Sequence, residues 1–434
     1  MKLSQAMIVK NEESNIERAL SWGKGIVSEQ IVIDTGSTDN TVKIAESMGA
    51  KVYHFEWIDD FSAAKNYAIE KCSGDWIAFL DADEYFMKDA DKILSTIKKA
   101  EREGAYVIAA QLLDLNDKGK IIGSMTQARL FKNHEGIEYQ KRIHEHLCSK
   151  KPVKIYDATK ELSIFHTGYS DSEQSKKNKS EKYKILLEKE IMDRPEDADM
   201  YGYLGDIYAG QQDYIKAEEL YNTALKYMDK ANSIESGRRG TTLRNLLVIL
   251  GGYNYRTDEL LHVYEFASRI LPQDADFSAI VADHFYRYQN YEKAAVFFKH
   301  SLDSYNKFGA FLKSDYVDSH IIEIHTKLSN AYFMSEQPIE AIKIAVKILS
   351  SDKYNVESLR ILLLSVQEAE KKGNIGYSQN EEYKLLERLY DLDSLKDKAF
   401  IYVTAKKLGV IGLSDIIKSH CSAEEAGLID KMDV

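Results

Sequence analysis

Two carboxylates one residue apart, Asp81 and Asp83, stand directly after an apolar run at residues 76–80. The run is typical of a buried strand, and a third acidic residue, Glu84, follows the pair. Two hard oxygen donors at a strand end suit a divalent cation that keeps coordination sites open for phosphate oxygens. An Asp-x-Asp pair alone more often marks a solvated loop, so the strand before it and the acidic residue after it favour a metal site.

Another acidic residue, Asp34, closes a second apolar run and precedes the start of a helix. An alternative interpretation is a helix cap, in which Ser37 or Thr38 accepts hydrogen bonds from free backbone amides. A cap accounts for the hydroxyl side chains but less well for a carboxylate at the tip of a strand. The position of Asp34 therefore favours a role beyond capping.

The elements that must position these carboxylates alternate between strand and helix up to about residue 169. Five runs are typical of buried strands: Leu3–Val9, Glu29–Asp34, 50–55, 76–80 and 106–113. Helical periods lie between them at residues 15–21, 38–48 and 63–71. This alternation predicts an α/β unit with a Rossmann-like, mainly parallel sheet, whose ligand lies at the carboxyl ends of the strands.

The composition is that of a globular protein with two domains. The 434 residues are too many for one ordinary core, and 44% of them are hydrophobic and 29% charged. A net charge of -11 excludes a general nucleic-acid binder, which needs a basic surface. The three cysteines lack metal-ligand spacing, and no stretch is long enough to span a bilayer. Together these features predict a cytoplasmic location.

The second half is helical in pattern and contains a repeat. Seven residues stand at the spacing of a tetratricopeptide repeat: Tyr201, Leu204, Gly205, Tyr208, Ala217, Tyr221 and Ala224. The stretch at 213–217 recurs at 290–294 and more loosely at 337–341, whereas residues 237–271 fit only as a divergent helix pair. Stacked helix pairs form a concave surface that commonly holds a peptide or a second subunit. In this chain the second subunit would be another copy, in a homodimer formed through the repeat domain.

Four sequence blocks together resemble the family 2 glycosyltransferases. They are residues 7–13 (MIVKNEE), 33–41 (IDTGSTDNT), 60–66 (DFSAAKN) and 74–84 (GDWIAFLDADE), and they occur in the order of that family. The resemblance covers roughly the first 170 residues and implies a GT-A fold and an inverting mechanism. We therefore expect a GT-A domain at 1–170, a linker and connecting helix at 171–195, and an all-α tetratricopeptide-like repeat domain at 196–434.

The resemblance also assigns residues to a nucleotide-sugar donor. It implies that Asp34 holds the uracil or ribose of a UDP-sugar, and that Asp60 and Asn66 contact the base. Lys65 stands where this block often has an arginine. The side chain is still a cation, but its contacts with the nucleotide differ from those of an arginine.

The same resemblance implies a Mn²⁺ or Mg²⁺ site. Asp83 would ligate the metal beneath the diphosphate, and Asp81 would face the ribose or the metal. His166 is either a core histidine or, by similarity to family members with a late histidine, a further metal ligand. Neutral imidazole suits Mn²⁺ better than Mg²⁺.

An inverting transfer needs one general base, which takes the proton of the attacking acceptor. Our hypothesis is that Glu145 is this base and that His144 orients it or substitutes for it. The alternative is a surface ion pair between Glu145 and Arg142 or Lys141. Three further residues are assigned to the acceptor or diphosphate region: Arg129, Arg142 and Tyr169.

The fusion to tetratricopeptide repeats resembles enzymes that glycosylate bacteriocin precursor peptides. It implies transfer of a hexose to a peptide or protein, on a Cys thiol or a Ser/Thr hydroxyl. One alternative acceptor is a cell-envelope glycan or glycolipid, which the lack of a membrane helix disfavours. Another alternative is a repeat scaffold with an inactive transferase domain, against which the intact site carboxylates count.

Overall fold

The computed structural model describes residues 1–86, 90–167, 173–228, 236–309, 315–373 and 379–431. The chain divides into two compact units, Met1–Glu196 and Asp197–Val434. Most of the segment expected to join the domains, residues 171–195, is a helix, Glu173–Asp193, that belongs to the first unit. Tyr169 lies outside the described residues.

The first unit is built on strands, most of them short. Its described strands are β1 (Leu3–Val9), β2 (Glu29–Asp34), β3 (Lys51–His54), β4 (Trp76–Phe79), β5 (Glu84–Phe86), β6 (Val107–Leu115), β7 (Ile121–Lys132), β8 (Ile137–Gln140), β9 (His146–Ser149), β10 (Ile155–Asp157) and β11 (Ser163–His166). Its described helices are α1 (Ile16–Ser21), α2 (Thr41–Ser47), α3 (Phe61–Lys71), α4 (Ala90–Arg102) and α5 (Glu173–Asp193). All five predicted strands and all three predicted helices are present.

Nine of these strands form one sheet, in the order β3-β2-β1-β4-β7-β6-β11-β5 with β10 beside β6. Parallel pairs predominate, which confirms the predicted mainly parallel sheet. Strand β7 runs antiparallel between β4 and β6, and β5 runs antiparallel to β11 at the edge. Because β7 is reversed against both neighbours, the carboxyl ends of β1, β2, β4, β6 and β11 meet at one edge.

Strand β4 is apolar throughout because both of its faces are covered. Trp76 and Leu80 pack in the cluster that includes α4, whereas Ile77 and Phe79 pack in the cluster that includes α3. Trp76 and Phe79 are fully buried, and each such side chain contributes about 1.5–3 kcal/mol of hydrophobic stabilisation. This two-sided core explains the continuous apolar run and fixes the strand end from which the acidic segment emerges.

The second unit is helical in all of its described parts. Its helices are α6 (Ala198–Gly210), α7 (Tyr214–Met228), α8 (Ser236–Gly251), α9 (Thr257–Ile270), α10 (Ala275–Arg287), α11 (Tyr291–Phe308), α12 (Asp315–Ser319), α13 (Ile321–Met334), α14 (Pro338–Ser351), α15 (Val356–Lys371), α16 (Gln379–Glu387), α17 (Leu395–Lys407), α18 (Ile411–Ser419) and α19 (Ala423–Lys431). A 3₁₀ turn at Asn254–Arg256 precedes α9. The helical domain that the sequence predicted is therefore confirmed.

The predicted recurrences share one backbone turn. Gln212, Gln289 and Glu336 each adopt a left-handed conformation, with φ of 64°, 61° and 61°, between the two helices of a pair. In each turn the next amide donates a hydrogen bond to the carbonyl five residues earlier. Gly409, with φ 72°, forms the same turn between α17 and α18. The same turn follows α2 and α4 of the first unit, at Gly49 and Gly104, so it is a general helix end and does not by itself assign residues 391–434 to the repeat.

Close helix approach within the first pair depends on a glycine. A Cβ on Gly205 would lie 2.5 Å from a ring carbon of Tyr221, which is fully buried. The Tyr221 hydroxyl donates to Asp206 at 2.8 Å, so the ring is anchored at its polar end. No helix among the described residues has the length and apolar character needed to cross a membrane.

Candidate active site

A cleft of about 490 Å³ lies at the sheet edge where the carboxyl ends of the parallel strands meet. Ile8 and Val9 from β1 and Thr35 after β2 contribute to its lining. Seven of the predicted site residues also line it: Lys65, Asp81, Asp83, Arg129, His144, Glu145 and His166. The structure thus brings together residues that are up to about a hundred positions apart in the sequence.

Asp81 is held between two cations. The Lys65 ammonium lies 3.1 Å from its Oδ1, and the Arg129 guanidinium lies 2.9 Å from its Oδ2. Burial alone would raise the pKa of Asp81, but Lys65 and Arg129 hold this pKa below its ordinary range. Both carboxylate oxygens therefore face cations, and Asp81 does not join Asp83 and His166 in a metal-binding cluster.

Lys65 also holds the predicted base. Its ammonium lies 2.7 Å from Glu145 Oε1 and above the faces of the Phe79 and Tyr139 rings, at 5.3 and 5.1 Å from their centroids. Burial disfavours the charged amine, yet Asp81 and Glu145 together raise the pKa of Lys65. Glu145 thus forms its ion pair with a buried lysine, whereas the alternative supposed a surface pair with Arg142 or Lys141.

The loop that carries Glu145 joins β8 to β9 and is fixed by two helices. At the start of α3, the Phe61 amide donates to the Arg142 carbonyl at 2.9 Å, and the Ser62 hydroxyl donates to the Lys141 carbonyl at 2.6 Å. From α5, Glu190 accepts from the Arg142 amide at 2.8 Å. His144 has a left-handed φ of 51°, which turns the chain at the cleft.

Asp83 and His166 lie side by side in the lining of the same cleft. His166 Nε2 is 3.3 Å from Asp83 Oδ2, while its Nδ1 is 2.9 Å from Asp114 Oδ1. The hydrogen bond with Asp83, and then that with Asp114, raise the pKa of His166 to about 9 against the effect of burial. Among the described residues, no three carboxylate, imidazole or thiolate groups converge on one metal position.

Asp34 organises its own loop and does not line the cleft. Its buried carboxylate accepts from the Ser37 amide at 2.9 Å and from the Gly36 amide at 3.3 Å. Burial opposes ionisation, but these hydrogen bonds lower the pKa of Asp34. The helix-cap alternative is wrong in detail, because α2 begins after Asn40 and neither Ser37 nor Thr38 is its N-cap.

Asp60, Asn66 and Arg142 border a separate pocket of about 460 Å³. Asp60 is the N-cap of α3 and accepts from the Ala63 amide at 2.9 Å. The Asn66 amide exchanges two hydrogen bonds with the Tyr139 main chain, at 2.8 and 2.9 Å. Arg142 pairs with Asp193 of α5 at 2.8 Å. Asn66 thus holds β8, Arg142 ties the Glu145 loop to α5, and none of the three side chains lines the cleft.

Several cleft residues were not predicted. Asp114, which holds His166, directly follows the predicted strand at 106–113, so the strand-end signal that identified Asp34 and Asp81 would have found it. Asp114 itself is not part of the cleft lining. Among the lining residues that were missed, Glu12, Thr35 and Phe61 lie within the recognised sequence blocks, whereas the sequence gave no comparable signal for Trp57, Gln127 and Tyr183. The Trp57 and Phe61 rings pack edge to face, with centroids 4.9 Å apart.

Comparisons with known proteins agree with this architecture. Residues 4–160 match the model described as glycosyl transferase family 2. A TPR repeat-containing protein of Synechococcus elongatus is 33% identical over 232 residues, which are 52% of this chain and 57% of that protein. The SPbeta prophage-derived glycosyltransferase SunS of Bacillus subtilis is 26% identical over 239 residues, 53% of this chain and 56% of that protein.

The chain thus covers little more than half of the length of these two relatives. One similar solved structure is glucosyl-3-phosphoglycerate synthase of Mycobacterium tuberculosis with Mn²⁺, uridine-diphosphate and glucosyl-3-phosphoglycerate. It is 24% identical, with 26% of this chain and 44% of that chain covered and a TM-score of 0.22. From the matched model and the strand-end cleft, we conclude that the first unit of the chain carries a family 2 glycosyltransferase domain.

Proposed function

We propose that the protein is an inverting, metal-dependent glycosyltransferase that moves a hexose from a UDP-sugar to a peptide or protein. One observation carries the proposal: a single strand-end cleft is lined by the Asp83–His166 pair and by Glu145 on its buried lysine. A donor with a charged leaving group would use the Asp83–His166 pair, and an acceptor with a removable proton would use Glu145.

The donor set fits a divalent cation with two protein ligands. Asp83 would supply a carboxylate oxygen and His166 its Nε2, while Asp114 keeps the Nδ1 proton on the other side of the ring. A carboxylate behind a ligating histidine is a common arrangement, because it fixes both tautomer and ring orientation. A cation bound there would neutralise the charge that develops on the departing diphosphate. The metal role expected for Asp81 is left out, since its oxygens face Lys65 and Arg129.

The chain's own charges would help the leaving group. Arg129 has only 12% of its side chain exposed, and it lies between Asp81 and Glu84, with a contact to each. It therefore borders the cleft as a fixed cation whose position costs no reorganisation when negative charge develops. The Trp57 and Phe61 rings, which line the same cleft, would flank the uracil.

Glu145 would act as the general base. It takes the proton of the acceptor as the sulfur or oxygen attacks the anomeric carbon, and UDP leaves with the electron pair of the broken bond. Lys65 holds the Glu145 carboxylate in the lining of the cleft. A thiol suits such a base, because its ordinary pKa is about 8.5, well below that of a hydroxyl.

The peptide acceptor is supported by the second unit. Stacked helix pairs with a shared turn form the kind of surface that holds an extended or helical peptide. The fusion of the two modules is the feature in which the sequence resembles peptide glycosyltransferases. A cell-envelope glycan and an inactive repeat scaffold are the competing hypotheses.

The test is nucleotide release by the full chain from a panel of UDP- and GDP-sugars, with Mn²⁺, with Mg²⁺ and after chelation. We expect metal-dependent release of UDP from one UDP-hexose, followed by a hexose mass shift on Cys- or Ser-containing peptides. UDP release that yields a labelled glycolipid and no labelled peptide would show that the acceptor is a glycolipid and not a peptide. Absence of both UDP release and UDP binding would leave the scaffold hypothesis.

A further inference from the structure

An apolar groove of about 970 Å³ runs between α15 and α17 in the second unit. Its lining includes Tyr354, Val356, Phe400, Val403 and Leu408. Val356, in the first turn of α15, keeps 59% of its surface exposed although it belongs to this apolar lining. The Tyr354 and Phe400 rings meet edge to face at 5.4 Å, so the groove has a fixed aromatic wall. A concave surface with this apolar lining is a candidate binding site.

The charged residues that line the groove are all basic: Arg360, Lys396 and Lys407. Arg360 is offset by Glu357 at 2.6 Å, one turn earlier on the same helix. Lys407 ends α17, where the helix dipole favours a cation. Lys396 is different, because it stands in the first turn of α17, where the dipole disfavours a cation.

Lys396 is held in this position by an aromatic face. Its ammonium lies 4.0 Å from the centroid of the Tyr354 ring, and the Tyr354 hydroxyl donates to Asp397 at 2.5 Å. The lysine is therefore placed over the wall of the groove by contacts that leave its charge beside the apolar surface. In a chain of net charge -11, a groove with only cationic charged residues is a local reversal of sign.

We propose that this groove binds an acidic amphipathic peptide segment. Its apolar side chains, at helical spacing, would fill the groove, and its carboxylates would lie against Lys396 and Lys407. Charge complementarity selects such a peptide over a basic one, and the apolar lining selects it over an acidic peptide without large side chains. This proposal rests on the proposed function: the segment is part of the acceptor peptide and does not include the residue that is glycosylated.

The test measures binding to the full chain by fluorescence anisotropy. The probes are three labelled 14-residue peptides: one with Leu at positions i, i+3, i+4 and i+7 and Glu elsewhere, one with Lys in place of Glu, and one with Ser in place of Leu. We expect the Leu/Glu peptide to bind at least tenfold more tightly than the other two. Equal binding of the Leu/Lys peptide would overturn the proposal.

Charge reversal locates the site. The double variant Lys396→Glu/Lys407→Glu should weaken binding of the Leu/Glu peptide about tenfold and strengthen that of the Leu/Lys peptide. The matched control is Lys299→Glu/Lys307→Glu, which makes the same change of charge at exposed positions of α11. Val356→Asp, at an exposed site, should weaken binding without loss of fold as judged by circular dichroism. Binding that survives both groove variants would rule out this groove.

Two further readouts separate the alternatives. Light scattering of the full chain tests whether a second copy occupies the groove, since a dimer that the double reversal dissociates would replace the peptide as the occupant. UDP release from the donor sugar should be unchanged in the double variant. Peptide binding without any UDP release would contradict the proposed function and leave the groove proposal standing.

Discussion

Each buried cation in the cleft is paired with carboxylates. Lys65 and Arg129 lie among three carboxylates, those of Asp81, Glu84 and Glu145, so each cation has two anionic neighbours. Removing one member of a buried ion pair typically costs about 3–5 kcal/mol, because the remaining charge is left unpaired in a poorly solvated place. The cleft therefore depends on Lys65 for its own folding as well as for the orientation of Glu145.

The variant Glu145→Gln tests the proposed base. It keeps the shape of the side chain but cannot accept a proton, so we expect the transfer rate to fall by about 10²–10⁴. Affinity for UDP, measured by calorimetry, should stay within about twofold because the nucleotide does not depend on this proton transfer. Glu135→Gln, at an exposed turn, is the control. Full activity of Glu145→Gln would show that another group is the base.

The contact between Asp114 and His166 can be disturbed in two independent ways. Asp114→Asn removes the charge, whereas Gly123→Ala leaves every polar group in place but puts a Cβ 2.8 Å from Asp114 Oδ2. We expect each variant to weaken Mn²⁺ binding about 10- to 100-fold, as measured by the electron paramagnetic resonance of free Mn²⁺. Gly210→Ala, where a Cβ meets no atom within 4 Å, is the matched control. Unchanged Mn²⁺ affinity in both variants would remove Asp114 and His166 from the metal site.

At the scale of the elements, the sequence predicted the strands and helices that have a clear hydrophobic pattern. Strands β1 and β2 have the predicted bounds because each is paired on both sides within the sheet and has an apolar centre, at residues 6–9 and 31–33. Strand β7 was missed, since its first half alternates between exposed and half-buried positions and it carries Arg129 towards the cleft. The shared turn of the helix pairs was also not predicted, because glutamine and glutamate seldom adopt the left-handed conformation that Gln212, Gln289 and Glu336 have.

Within the site, too, the sequence indicated residues with a local signal but not the contacts between elements that are distant in sequence. Asp81 and Asp83 were recognised because they follow a strand in sequence, whereas the ion pair between Lys65 and Glu145 joins α3 to a loop about eighty residues later. Asp60 and Asn66 belong to a recognisable block, but in the folded chain Asp60 caps its own helix and Asn66 holds the main chain of β8. Short motifs indicate which residues lie near a site; only the packing of the elements shows which of them face it.

The start of α10 makes stability depend on pH. Its N-cap, Asp274, is buried beside Arg244 at 2.6 Å, and burial raises the pKa of Asp274 to about 6. The folded unit thus binds this proton more tightly than the unfolded chain, in which the pKa is about 4. Because one pKa unit corresponds to about 1.4 kcal/mol, we expect this group to contribute on the order of 3 kcal/mol more stability below pH 4 than above pH 6, lost as pH rises through that window.

Urea unfolding at a series of pH values from 4 to 7 checks this expectation. Asp274→Asn keeps a side chain that caps α10 but cannot titrate, so the pH slope of its unfolding free energy should differ from that of the parent chain. Asp197→Asn, the same change at the N-cap of α6, controls for the loss of a cap carboxylate. Identical slopes for Asp274→Asn and the parent would show that Asp274 does not titrate in this range.

At the scale of the whole molecule, each unit has its own hydrophobic core. Three clusters of buried side chains lie in the first unit, and two lie in the second, one around α10 and one around α15 and α17. A unit with its own core can bind its own ligand. The proposed functions give the two units different ligands, a charged nucleotide with a metal and an acidic peptide.

Hydrogen exchange of the full chain tests this division. UDP with Mn²⁺ should slow exchange at residues 81–83 and 143–146, which border the cleft, because ligand binding stabilises the conformation that binds it. The Leu/Glu peptide should slow exchange in α17 instead. Protection of the cleft by the peptide alone, with none in α17, would contradict the assignment of separate ligands.

The pairing of β5, β11 and β6 places Glu84, His166 and Asp114 in one row across the sheet. Ladder hydrogen bonds therefore hold the main chain of His166 from both sides. His144 and Glu145, in contrast, lie in the connection between β8 and β9, where Lys141 and His144 both have left-handed backbones. Under the proposed roles, the sheet fixes the backbone of the metal-binding histidine, whereas the base lies in a five-residue connection whose backbone can differ between related proteins without disturbing the sheet.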